Sequence, residues 1–143
     1  RAGRGRKAGI ALIQTYMPEH YSIQTATSQD YESFFKQEMG YRRLMHYPPA
    51  CHMLSMQVAG ENEELMTRIM EAIAASVRKH FEEQTQIIGP VPAPVYKVND
   101  IYRKILYMKQ ENYDILIKIQ KYVKMRWDET ESCKKLTLQC DFT

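Results

Sequence analysis

Beyond residue 50 the sequence predicts an α+β domain whose elements run β-α-β-β-α-β, with a short strand and a two-piece helical stretch ahead of it. Three observations carry that prediction. Residues 53–59 and 102–109 alternate apolar with polar side chains, the period of a strand with one face in a core. Residues 62–80 and 112–127 repeat apolar side chains every three or four positions, the period of a helix with one buried stripe. Gly60, then Pro90, Pro92 and Pro94, then Asn112 punctuate the boundaries.

The elements follow in order. The apolar run Ile10-Ala11-Leu12-Ile13, ahead of Gln14-Thr15-Tyr16, suits a buried strand. Pro18 biases Met17 toward extended backbone and can open a helix after it. Residues 19–46 read as helix in two pieces broken near Thr27-Ser28. Ser28 is the expected cap of the second piece, with Asp30 and Glu32 in its first turn, where the helix dipole favours anions. Tyr47-Pro48-Pro49 ends it. In the domain that follows, Asn62 caps a helix with Leu65, Ile69, Ile73 and Val77 on one face. Ile87-Ile88-Gly89 is a short strand or its end. Three prolines then lock φ and remove three donors, so Gly89 to Pro94 is expected to be an extended, exposed crossing rather than a central strand. Asn112 caps a last helix to about Trp127, with Ile115, Ile119, Tyr122 and Val123 opposite Asp114, Lys118 and Lys121. Leu136 to Phe142 closes as a strand. This order is the split βαβ arrangement of ferredoxin-like sheets, with two helices on one face.

Of the 143 residues, 44% are hydrophobic and 26% charged, a globular balance that excludes disordered chain and collagen-like repeats. No apolar run approaches the roughly 20 residues of a membrane helix. With neither an initiator Met nor an apolar leader, the sequence reads as a piece of a longer cytoplasmic protein. Cys51, Cys133 and Cys140 are odd in number and lack a CxxC spacing, so they read as buried free thiols rather than a disulfide framework or zinc site. Met45, Met53, Met56, Met66 and Met70 read as core filler. His46 and His52 read as turn or packing residues, and Trp127 as packed against the sheet.

The net charge of +3 is unevenly spread, because Arg1, Arg4, Arg6 and Lys7 place four cations and no acid in the first nine residues. Two arginines three apart on a glycine-rich turn, Arg1-Ala2-Gly3-Arg4-Gly5, can set two planar forks over neighbouring phosphate oxygens. Such forks stabilise the charge that develops on a transferred γ-phosphoryl group. A short basic glycine loop is also a common solvated terminus, so the string needs context.

The context is a resemblance. RAGRG, a basic linker, the hydrophobic run and Gln14-Thr15-Tyr16-Met17-Pro18-Glu19-His20-Tyr21 resemble helicase motif VI and the strand after it in the primosomal protein N′ (PriA) family of replication-restart, superfamily-2 DNA helicases. Gln29-Asp30-Tyr31-Glu32-Ser33-Phe34-Phe35, Arg42-Arg43-Leu44, Tyr47-Pro48-Pro49, Gly89-Pro90-Val91-Pro92-Ala93-Pro94 and the Tyr102-Arg103 strand extend the likeness over essentially the whole chain. The resemblance implies three parts: residues 1–20 as the end of a RecA-like lobe, 21–50 as a helical connector, and 51–143 as a C-terminal domain of ribosomal-protein-like fold. It implies a parent that is an ATP-dependent 3′→5′ helicase recognising branched DNA and reloading the replication machinery. Arg1 and Arg4 match the two motif VI arginines, one or both of which reach ATP in the intact family. ATP, Mg and structural zinc belong by this resemblance to upstream parts of the parent, so the fragment alone is expected to bind no cofactor and to be inactive. The implied partners are branched and single-stranded DNA, single-stranded-DNA-binding protein and primosome proteins, with no membrane.

The residues themselves agree with a phosphate-facing half. Lys97 to Arg126 holds eight cations and three acids, whereas Glu61 to Gln84 holds six acids and three cations. Candidate DNA-binding residues are Lys97, Tyr102, Arg103, Lys104, Lys118 and Lys121; Tyr96, Tyr102 and Tyr107 lie among the cations, where exposed aromatics can stack single-stranded bases, although a strand Tyr more often packs and a helix Lys more often solvates its outer face. The competing readings are a stand-alone ribosomal-protein-like module that binds RNA or protein, and a docking domain without nucleic-acid contact.

Overall fold

The computed structural model describes residues 9–81 and 85–143 of the chain, so Arg1, Arg4, Arg6 and Lys7 lie outside the described residues. The chain divides into two compact units, Arg1–Gly40 and Tyr41–Thr143.

In the first unit, residues 9–15 have no regular secondary structure, and Ile10 and Leu12 are 86% and 94% exposed. The strand expected at Ile10–Ile13 does not form. A strand needs partners for its backbone groups, and the four strands of the sheet pair only with one another. Helix α1 (Tyr21–Ser28) is capped by His20, whose Nδ1 accepts from Ser22 N. It ends at Gln29 in the left-handed region. Helix α2 (Tyr31–Leu44) is capped by Asp30, whose Oδ1 accepts from Ser33 N at 3.0 Å. Ser28, the expected cap, instead closes α1, because its hydroxyl donates back to Gln24 O at 3.0 Å.

The second unit is a four-stranded antiparallel sheet in the order β2-β3-β1-β4. Its elements are β1 (His52–Gly60), α3 (Glu63–His80), β2 (Gln86–Val98), β3 (Ile101–Gln110), α4 (Tyr113–Glu129), a 3-10 turn (Glu131–Lys135) and β4 (Thr137–Phe142). This is the expected β-α-β-β-α-β domain, and both helices lie on one face of the sheet. Asn62 and Asn112 cap α3 and α4 as the sequence predicts, their Oδ1 atoms accepting from Leu65 N and Asp114 N at 2.9 Å each.

The core forms where Leu54, Met56 and Val58 of β1 and Leu106 and Met108 of β3 meet Met66, Met70 and Val77 of α3 and Leu116, Ile119 and Val123 of α4. Truncating one of these large side chains to Ala costs about 2–5 kcal/mol. Of the expected α3 stripe, Val77 is fully buried; the rest of the buried row is Met66, Met70 and Ala74, one residue on from Leu65, Ile69 and Ile73, of which Ile69 and Ile73 pack at its flank. Met45 is exposed and joins no core.

The proline segment differs from expectation in one respect. Gly89 to Pro94 belongs to β2, which runs on to Val98 as an edge strand with register shifts between Ile88 and Val91 and between Pro92 and Lys97. An edge strand tolerates missing donors on its solvent side, and the shifts absorb the rest. Gly89 sits at φ +110°, where a Cβ would stand 2.7 Å from Ile105 O, so glycine is required there.

Candidate nucleic-acid interface

Pairing register sorts the six sequence-predicted residues into three places. Lys104 pairs with Val58 and therefore faces the helices, whereas Arg103 pairs with Ala59 on the opposite face. Lys104 Nζ donates to Thr67 Oγ1 at 2.7 Å and lies 3.0 Å from Glu63 Oε1, with its side chain only 13% exposed. It joins β3 to the first turn of α3.

Tyr96, at the end of β2, completes this cluster. Its hydrogen bond to the Glu63 carboxylate, helped by partial burial, pushes the phenol up to about 12. The same bond, with the one from Lys104, holds Glu63 below the usual carboxylate value. Beside it, Lys97 lies 3.0 Å from Asp100 Oδ1, donates to Tyr102 OH at 3.1 Å and covers the Tyr102 ring at 4.6 Å. Its ammonium is held above the ordinary lysine value by the hydrogen bonds to Asp100 and Tyr102. Tyr102 meets Tyr96 edge to face at 5.7 Å and packs against the core. Lys97, Tyr102 and Lys104 thus have partners within the domain.

Lys118 and Lys121 lie elsewhere, exposed on the outer side of α4. Lys124 follows them one turn on, so three cations three residues apart line one helix face. None of the three makes an ion pair among the described residues. Long side chains with free ammonium heads at that spacing can follow a line of phosphates.

Tyr107, one of the aromatics that the sequence places among the cations, shares with Arg103 the sheet face away from the helices, a relationship visible in their four-residue spacing on one strand. Lys109 counted as a surface cation but is only 5% exposed, with Nζ 3.5 Å from the Tyr47 ring centroid. The thiols of Cys51, Cys133 and Cys140 are all raised, chiefly by burial. Trp127 packs against the core beside an apolar groove between α3 and α4 lined by Ile69, Ile73 and Val123, with Arg126 at its lip. No helix among the described residues is long and apolar enough to cross a membrane.

A ferredoxin-like α+β domain with a lysine stripe on one helix and partly exposed Arg103 and Tyr107 on the sheet face away from the helices is the class of module that this geometry defines. The likeness in fold extends to a de novo designed protein, Foldit4, at a TM-score of 0.53 and 11% identity, over 65% of this chain and 96% of that one. The model of the primosomal protein N C-terminal domain matches residues 43–142. The replication restart protein PriA of Bacillus subtilis is 38% identical over 113 residues, covering 78% of this chain and 14% of that protein. That of Thermotoga maritima is 32% identical over 126 residues, covering 87% of this chain and 16% of that protein. The chain belongs to the replication restart protein PriA family and corresponds to the C-terminal part of its members. It spans about one seventh of the length of the Bacillus subtilis relative.

Proposed function

We propose that this chain is the C-terminal part of a cytoplasmic, ATP-dependent 3′→5′ DNA helicase that recognises branched DNA and reloads the replication machinery, and that its terminal domain holds DNA by the phosphate backbone. The carrying observation is the Lys118, Lys121 and Lys124 stripe of α4, three exposed cations with no ion pair among the described residues. Ammonium groups scattered along a helix act as point charges, which suits contact with phosphate rather than with base edges. In the parent, ATP and Mg would be bound with help from Arg1 and Arg4, and structural zinc would be held by parts outside this sequence. The proposed protein partners are single-stranded-DNA-binding protein and primosome proteins.

The test is a salt titration of the 143-residue chain against fluorescent forked DNA. Each lost phosphate contact lowers the log–log slope by about 0.7 to 0.9. Lys118→Ala with Lys121→Ala should flatten it by roughly one to two, while Arg68→Ala on the exposed side of α3 leaves it unchanged. Absence of binding at low salt refutes the reading. A protein-docking role is the second reading, favoured by the apolar α3–α4 groove with Trp127 and Arg126, and it is the one left standing if the slope does not move.

A further inference from the structure

The sheet face opposite the helices carries an arrangement that the α4 lysines do not explain. Central strand β1 gives this face only uncharged side chains, Met53, Ser55, Gln57 and Ala59, and on β3 the buried Ile105 lies between Arg103 and Tyr107, so the floor between those two residues carries no charge. On the neighbouring central strand, Tyr107 stands directly opposite Ser55 and Arg103 opposite Ala59. Both are partly exposed. Neither the Tyr107 hydroxyl nor the Arg103 guanidinium has a hydrogen bond or ion pair among the described residues. They project from the same side of one strand about 13 Å apart, four residues at the strand rise.

Charge on this face favours an anionic occupant along β3. Its strand acid, Asp141, lies on the edge strand β4 and already accepts from Gln139 Nε2 at 3.0 Å. Lys109, the other cation, is covered by Tyr47, which leaves Arg103 as the free one on β3. Shape decides between double and single strands. Four strands span about 14 Å between the outer two, too broad to enter a major groove roughly 12 Å wide. A flat surface with an unpaired aromatic instead suits a strand whose bases are free to turn onto it.

We propose that this open face binds a single strand of nucleic acid, with a base stacked on Tyr107 and a phosphate further along held by Arg103. The inference rests on the DNA reading above and assigns it a second, distinct surface that takes only unpaired strand.

The test measures binding of a fluorescent fifteen-residue oligo-dT and of a blunt duplex by the 143-residue chain. Tyr107→Ala should weaken oligo-dT binding about 5- to 150-fold, the range for loss of one stacked base, and leave duplex binding unchanged. Tyr107→Phe should retain the wild-type affinity. Gln57→Glu, which adds an anion between the two residues without changing side-chain size, should weaken oligo-dT binding independently of any folding defect in the alanine variant. Arg103→Ala should lower the salt slope for oligo-dT by about 0.7. Oligo-dT binding that survives both Tyr107→Ala and Gln57→Glu overturns this surface while leaving the α4 reading intact. Absence of binding to any DNA by the wild-type chain overturns both.

Discussion

The ammonium of Lys109 lies 3.5 Å from the centroid of the Tyr47 ring and donates to Met45 O at 3.3 Å. A β3 side chain thereby fastens the turn that leads into β1. The turn is further held where Tyr47 N donates to Arg42 O at 2.8 Å and the Arg42 guanidinium donates to Pro48 O. A desolvated cation over an aromatic face contributes about 2 kcal/mol, several times its value in water. Lys109→Met keeps most of the aliphatic stem and removes the charge. It should cost roughly 1–2 kcal/mol in urea unfolding, and a cycle with Tyr47→Leu should show a coupling of about 1 kcal/mol or more. Losses that add to within about 0.3–0.5 kcal/mol would mean that the contact stores nothing.

The two asparagine caps make a second prediction. Each satisfies one backbone donor at the start of a core helix. Asn62→Ala and Asn112→Ala should each destabilise the domain by about 1 kcal/mol, whereas the glycine variants should cost only a few tenths. Equilibrium denaturation of the four variants checks this. Equal losses for Ala and Gly at either site would assign the effect to packing rather than capping.

Those caps were legible because the signal is local: a short polar side chain directly ahead of a helical period. The order of elements along the chain was legible for the same reason, since alternation and turn residues mark each element. The burial phase of α3 was not. A helix with Leu65, Ile69 and Ile73 in one row and Met66, Met70 and Ala74 in the next has two adjacent apolar stripes about 100° apart. The sheet selects between them by fit, and Met and Ala allow close approach where β-branched side chains flank it. The extent of β2 was hidden by its prolines, which forbid a central strand but not an edge with shifted register. For the candidate site, alternation alone indicated that Arg103 and Lys104 diverge. That Lys104 is tied to Glu63 and Thr67 depends on where α3 begins in space, which no sequence period encodes.

In the intact parent, Arg4→Ala should leave fork affinity nearly unchanged and reduce DNA-stimulated ATP turnover by about 10³ or more, the usual cost of removing an arginine that stabilises phosphoryl transfer. The 143-residue chain itself should show no turnover with or without DNA. Equal losses of affinity and turnover in the Arg4 variant would place that residue on DNA instead of ATP.

The cluster of Lys104, Glu63 and Tyr96 should make stability depend on pH at both ends of the scale. Folding lowers the Glu63 carboxyl below its ordinary value of 4.5, first through the Tyr96 hydrogen bond and then through Lys104. A group whose pKa falls on folding adds stability that is present above the unfolded value and is lost as the pH drops through the folded one. Folding raises the Tyr96 phenol from 10.0 to about 12, chiefly through the bond to Glu63. Here the unfolded chain ionises first, so the contribution is intact below pH 10 and fades between about 10 and 12. Glu63→Gln should therefore flatten both limbs of the stability profile, and Tyr96→Phe should flatten both as well. Lys104→Met removes the ion pair and leaves the Thr67 hydroxyl without its donor, so its cost should be larger at pH 7 than at the acid end of the scan, where the Glu63 carboxyl takes up its proton. Urea unfolding of wild type and the three variants from pH 3 to 12 measures all of this. A Lys104→Met cost that stays constant as the pH falls through the titration of Glu63 would show that Lys104 works through its hydrogen bond to Thr67 and its packing, with no part played by the charge on Glu63.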